Sequence, residues 1–280
     1  MREINVAAIT SCVRQMCMDA NYHLSPDMQA RLFEAAETEQ SPLGRQILEK
    51  LKENLEIAAA DQIPICQDTG MAVVFVEVGQ EVHLTGGDVS SAIQEGVRRG
   101  YQDGYLRKSI VRDPLTRVNT GDNTPAVIHY TIVPGEQVRI TVAPKGFGSE
   151  NKSRLFMLVP ADGVDGVKKA VLQTVREAGP NACPPMAVGV GIGGNFEKCA
   201  CLAKQALLIP TDQQSEDPQI RKLEQELLAE INKTGIGPAG LGGTVTALAL
   251  HVKTYPTHIA GLPVAVNICC HVNRHETMVL

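Results

Sequence analysis

The 280-residue chain has no tryptophan, five phenylalanines and five tyrosines, and no long apolar run. Stretches such as Met71–Val76 are strand-sized, far below the ~20 residues of a membrane-crossing helix, so no membrane partner is expected. A basic block is missing as well. With 26 Lys plus Arg against 31 Asp plus Glu, the formal charge is −5, which argues against a nucleic-acid or anionic-membrane surface. The N-terminus carries Glu3 and no continuous apolar segment, so no secretory signal is read there and a cytoplasmic protein is expected. The eight cysteines contain no C-x-x-C pair, which excludes a zinc ribbon or a ferredoxin-like run. They are also too sparse for a disulfide scaffold. Each is expected to be a packed thiol or a metal ligand.

What is present alternates between two hydrophobic periods. The first sixty residues read as helices: Ile9, Val13, Met16 and Ala20 share a face, and Ser41-Pro42 opens a stripe of Ile47, Leu51, Leu55 and Ala58. Met71–Val78 follows as a strand, and Asp88 caps a helix burying Val89, Ile93, Val97 and Tyr101. Residues 104–124 show neither period and carry Arg107, Lys108, Arg112 and Arg117. Strands are expected at Ile128–Val133, Val138–Ala143, Met186–Ile192, Val245–Val252 and Val264–Cys269. Helices are expected at Val164–Glu177, Phe196–Leu208 and around Ile220–Ile231. This interleaving predicts an α/β or mixed α+β fold with a mixed sheet in one large domain, residues 1–280. Residues 1–60 form its helical part, 61–280 carry the site, and site loops lie at strand ends.

Geometry thins the cysteines. Cys199 and Cys201, two apart on a helix, point about 200° apart and cannot share a metal. Cys269 and Cys270, adjacent at a strand end, face opposite sides, so at most one reaches a shared site. Cys66, Cys183 and one of the 269/270 pair remain, all in loops at strand termini, where ligands concentrate. Three such thiolates could hold an iron–sulfur cluster with one iron open; ordinary thiols are the competing reading. Gly189–Gly194, between a strand and a helix, is reminiscent of a dinucleotide loop but lacks the acidic residue about 20 positions on. Close backbone approach is the better reading, and a cluster-free ligand- or nucleotide-binding module the alternative. Gln67, Asp68, Arg107, Gly148 and His258 are further loop residues of site-forming type.

Four blocks taken together, Ile65–Gly70 (ICQDTG), Lys145–Lys152 (KGFGSENK), Ala182–Pro185 (ACPP) and His258–Ala265 (HIAGLPVA), resemble the class I, iron–sulfur-dependent fumarate hydratases and their relatives the L-tartrate dehydratases. The resemblance implies a 4Fe–4S cluster on Cys66, Cys183 and Cys270, one iron staying open for substrate. Cys270 is chosen over Cys269 because the family pattern sets its cysteine four residues before an arginine, here Arg274. It also implies a small dicarboxylate substrate lined by Gln67, Asp68, Arg107, Gly148 and His258, with Asp68 and His258 as catalytic proton handlers. Larger members add a C-terminal domain, so this chain resembles an α subunit whose β subunit supplies the remaining groups, in an α2β2 assembly. Fumarate hydration is the expected activity and L-tartrate dehydration the alternative. Phe147 departs from the pattern, standing where many relatives have glycine.

Overall fold

The structure, a computed structural model, describes residues 2–280. In chain order its elements are β1 (Arg2–Asn5), α1 (Val6–Tyr22), α2 (Pro26–Thr38), α3 (Pro42–Asp61), β2 (Met71–Gly79), β3 (Val82–Thr85), α4 (Val89–Asp103), β4 (Val127–Val133) and β5 (Val138–Lys145). There follow α5 (Phe147–Glu150), β6 (Arg154–Leu158), α6 (Gly163–Ala178), β7 (Met186–Gly193), α7 (Phe196–Ala206), α8 (Pro218–Asn232), β8 (Ala247–Tyr255), β9 (Leu262–Cys269) and β10 (Glu276–Val279). Helices and both parallel and antiparallel strand pairs interleave, so the fold is mixed α/β. The chain divides into two compact units: the residues up to Ser25 with Asn54–Phe147 and Arg274–Leu280, and Pro26–Glu53 with Gly148–Asn273.

The first unit is built on a sheet ordered β10-β5-β2-β4, beside a parallel β1-β3 pair. Its core joins Ile9, Val13 and Met16 of α1 to Ile93, Val97 and Tyr101 of α4 and to Val74, Val76, Ile140 and Val142 of the sheet. Asp88 caps α4 as its sequence position implies, its side chain accepting the Ser91 N–H at 2.6 Å. Direction matters most here. β2 runs parallel to β4 (Val73 opposite Val127) and antiparallel to β5 (Met71 opposite Lys145), while β10 runs antiparallel to β5 (Glu276 opposite Val142). The segments entering β2, β4 and β10 and the one leaving β5 therefore meet at one sheet end. Gly70, at φ +77°, makes the turn into β2; an added Cβ would lie 2.7 Å from the Lys145 backbone nitrogen.

The second unit has a sheet ordered β6-β9-β7-β8. Strand alternation explains its two faces. Val188 and Val190 of β7 enter a core with Val171 and Val175 of α6 and Leu227 and Ile231 of α8. Gly189 and Gly191 point the other way, where a Cβ would fall 2.2 Å from the Ala203 carbonyl oxygen and 2.1 Å from that of Cys199. The glycine run thus lets α7 lie directly on β7, which is the close approach expected of it. Glu39 ties the end of α2 to the chain before β8. Its carboxylate accepts N–H bonds from Ser41 (2.8 Å), Thr244 (2.9 Å) and Val245 (2.8 Å) and the Thr244 hydroxyl at 3.1 Å.

Four elements depart from the sequence reading. The helical N-terminal stretch opens on the strand β1, and β3, β6 and β10 are four or five residues each. Such lengths are too short for a two-residue alternation to show. β4 and β5, consecutive in sequence, are not neighbours in the sheet; β2 lies between them.

Two outcomes follow from this packing. Gly191→Ala forces α7 off β7 and should destabilise the chain by roughly 1–3 kcal/mol, the range for overpacked cores, seen as a lower thermal midpoint. Burial alone would raise the Glu39 acid value, but the N–H bonds from Ser41, Thr244 and Val245 outweigh it and hold Glu39 below its ordinary 4.5. Its contribution is therefore complete above that value and lost as pH falls through the lower folded value. Glu39→Gln should lower stability at neutral pH and flatten the acid limb of denaturant midpoint against pH.

Candidate functional site

At the shared sheet end of the first unit, the segment Cys66–Gly70 is fixed by its own backbone. Ile65 N–H donates to the Asn21 carbonyl at 2.9 Å, and the Ile65 carbonyl accepts from Asn54 Nδ2 at 2.9 Å. The Tyr101 hydroxyl donates to the carbonyls of Thr69 and Gly70, at 2.7 and 2.9 Å. Burial pushes the Tyr101 phenol well above its ordinary value, so it stays a neutral donor. Asn123 Nδ2 reaches the Gly70 carbonyl at 3.1 Å, while its Oδ1 accepts the Ser109 N–H at 2.7 Å. The Thr69 hydroxyl donates to the Arg107 carbonyl at 3.0 Å. These bonds stitch the Arg107 loop to the Cys66–Gly70 segment. Gln67 and Arg107 are exposed, and Cys66 and Asp68 partly so. The Asp68 carboxylate accepts the Gly70 N–H at 3.1 Å and the Phe147 N–H at 2.9 Å, leaving further lone pairs for a ligand. Its main-chain carbonyl accepts from Arg274 Nη2.

In the second unit the corresponding end of the sheet gathers Cys183, Cys270 and Gly148. β7 begins at Met186, β9 ends beside it (Cys269 opposite Ala187), and β6 begins opposite Val266. The Cys183 carbonyl accepts the His271 N–H at 3.4 Å and the His271 ring Nδ1–H at 3.1 Å, which sets Cys183 beside the segment carrying Cys270. Cys183 stands at φ +53°, ψ +62°. For a residue with a Cβ that conformation costs on the order of 1–3 kcal/mol and persists where its surroundings impose it. The Gly148–Ser153 segment is pinned to β9. Asn267 Nδ2 donates to Glu150 at 2.8 Å and to Ser153 at 2.7 Å, and Lys204 pairs with Glu150.

His258 does not join this group. It lies between β8 and β9, at the opposite end of the same sheet. The seven residue steps of β9 alone span about 24 Å at ~3.4 Å each. It is exposed, and its Nδ1 accepts the Ala260 N–H at 3.2 Å. Strand order, which no local pattern encodes, separates it from Cys183, Cys270 and Gly148.

The thiols sort by burial. Cys12, Cys17, Cys199 and Cys269 are buried, Cys66, Cys201 and Cys270 partly exposed, and Cys183 exposed. Burial pushes Cys17 up to about 12 and raises Cys12, Cys199 and Cys201. Among the described residues no three His, Cys, Asp or Glu side chains are gathered as a preformed metal site, and no helix is long and apolar enough to cross a membrane. Sequence reading missed Tyr101 and Asn123 as supports. Tyr101 carried only an apolar-face signal, and Asn123 only the polar character of its loop.

Comparison with known proteins defines the class first, as a hydro-lyase. A family model described as fumarate hydratase (Fumerase) matches residues 10–279. A Methanocaldococcus jannaschii protein, named provisionally as an L(+)-tartrate dehydratase subunit alpha, is 39% identical over 272 residues, 95% of each chain. The L(+)-tartrate dehydratase subunit alpha of Escherichia coli strain UTI89 is 31% identical over 277 residues, 98% of this chain and 91% of that one. The chain belongs to the class I fumarate hydratase and tartrate dehydratase family, among its alpha subunits.

Thiolate, rather than thiol, reacts with iodoacetamide, so exposure favours labelling and burial, which raises Cys12, Cys17 and Cys199, opposes it. Cys183 should be labelled first and Cys66 and Cys270 next, with Cys12, Cys17 and Cys199 lagging, as read by peptide mass spectrometry. Early labelling of Cys17 or Cys199 would contradict this placement.

Proposed function

We propose that the chain is the α subunit of a two-subunit fumarate hydratase, acting in the cytoplasm as α2β2 and reversibly adding water to fumarate to give malate. The observation that carries this reading is the fumarate hydratase family match over residues 10–279. The names of the relatives as alpha subunits support a β partner. Cys66, Cys183 and Cys270 would hold a 4Fe–4S cluster. They suit it as donors, since each stands at or near the surface of a strand-end loop while Cys12, Cys17, Cys199 and Cys269 are packed in cores. When bound, such a cluster with three cysteine ligands supplies an open iron as a Lewis acid toward the substrate's hydroxyl and carboxylate.

The side chains supply the rest. Hydration of an activated double bond needs carboxylate charge stabilised and a proton moved. The exposed Arg107 guanidinium offers a bidentate fork to one substrate carboxylate. Gln67 and Gly148 border the substrate. Asp68, with its carboxylate oriented by the Gly70 and Phe147 N–H groups, accepts a bond from the substrate's hydroxyl and is one group assigned proton handling. His258, exposed between β8 and β9, is the other.

L(+)-tartrate dehydration to oxaloacetate is the second reading, favoured by the relatives' names. Malate and tartrate are both 2-hydroxy dicarboxylates and differ by one hydroxyl. The α–β complex, reconstituted anaerobically with iron and sulfide, should turn over L-malate with kcat/KM exceeding that for L(+)-tartrate by about tenfold or more, a discrimination one hydroxyl allows. The opposite ratio would reassign the substrate, and turnover of neither would overturn the hydro-lyase reading. Cys183→Ala should abolish the cluster's visible absorption.

A further inference from the structure

We propose that Arg274 is a positioning residue for Asp68: its guanidinium fixes the Asp68 peptide and through it the direction of the Asp68 carboxylate. The inference rests on the reading of Asp68 as a substrate-facing group.

Arg274 enters β10, whose pairing with β5 delivers it to the sheet end where Cys66–Gly70 lies. It is only 4% exposed, and Nη2 donates to the Asp68 carbonyl. Its Nε and Nη1 are buried and meet no acceptor among the described residues. A buried guanidinium with unmatched N–H groups is costly. Stability alone therefore does not account for an arginine here.

The neighbouring carbonyls show what the position adds. Those of Ile65, Thr69 and Gly70 are satisfied by neutral donors, Asn54, Tyr101 and Asn123. Asp68, the member of the segment with a carboxylate, is the one held by a charged donor. Its two carboxylate oxygens accept from the Gly70 and Phe147 N–H groups, so a turn of the Asp68 peptide would draw the carboxylate out of these bonds. Arg274 reaches the substrate through Asp68 and needs no contact of its own.

The test uses Arg274→Met, similar in bulk but uncharged, with Arg274→Lys as the milder variant. In the reconstituted α–β complex, Arg274→Met should lower kcat by about 100-fold, the scale of a 1 Å misplacement of a reacting group. KM should stay within about threefold, because the loss falls on the transition state. The thermal midpoint should be unchanged or higher. Hydrogen exchange on the full metal-free chain gives a readout independent of activity: the peptide spanning Asp68–Gly70 should exchange about tenfold faster, that is ~1.4 kcal/mol of lost protection, while the strands β2 and β5 keep theirs. Arg274→Lys should fall between wild type and Met on both measures. Wild-type kcat and exchange in both variants would overturn the proposal. So would loss of protection across the whole first unit with a lowered midpoint, which marks general fold support. If the wild-type complex turns over neither malate nor tartrate, the fumarate hydratase reading fails, while the exchange data still decide whether Arg274 orders the Asp68 segment.

Discussion

The antiparallel pairing of β2 with β5 is the constraint on which the first unit's site depends. Because Met71 stands opposite Lys145, the chain enters β2 where it leaves β5. The pairing brings the Cys66–Gly70 segment and the Phe147 N–H together, and the Asp68 carboxylate then closes the contact. β4 and β10 take directions that deliver the Arg107 loop and Arg274 to the same place. Irregular segments crowded at a sheet end carry many main-chain groups that must be matched once buried. Here that need is met by Tyr101, Asn123 and Asn54, whose side chains act as substitutes for a further strand. The outcome is a loop with the rigidity of regular structure and exposed side chains at Gln67 and Arg107. That combination of fixed backbone and available side chain is what precise ligand geometry needs.

The second unit reaches a similar end by other means. Its sheet is covered on both faces, with large residues of β7 facing α6 and α8 and glycines facing α7. The strand therefore cannot slip by one residue, since a slip would push valines into a helix backbone and leave glycines over the core. This register sets where β7 begins and hence where Cys183 stands. The left-handed backbone at Cys183 is held by bonds from His271 on the neighbouring chain segment.

How far the sequence reveals this depends on the range over which each feature is encoded. Helices α1, α3, α4, α6, α7 and α8 are visible because their caps and apolar stripes lie within the helix itself, as with Asp88 and the face ending at Tyr101. The motif loops are visible as breaks in period. What is not visible depends on strand order. β4 and β5 follow one another in sequence, yet β2 lies between them in the sheet. His258 shares its motif block with the start of β9 while Cys270 follows that strand's end, so nearness in sequence misleads by the length of the strand. Tyr101 illustrates a third case. Its apolar-face position is encoded locally, but the use of its hydroxyl is decided by where another chain segment passes.

Two buried charges show how differently a fold can use such groups. Glu39 is fully buried, and its carboxylate is saturated by main-chain N–H groups and a hydroxyl. These bonds offset desolvation, so the group behaves as a clamp whose purpose is local stability. Arg274 is nearly as buried, yet only Nη2 has an acceptor while Nε and Nη1 have none among the described residues. A chain selected for stability alone would fill that position with an apolar side chain of similar volume. The same physical rule, that buried charge must be matched, explains the first residue completely and leaves the second in deficit. That deficit lies next to the one loop residue that joins a carboxylate to the cysteine-bearing segment, which is where a demand other than stability would be expected to act.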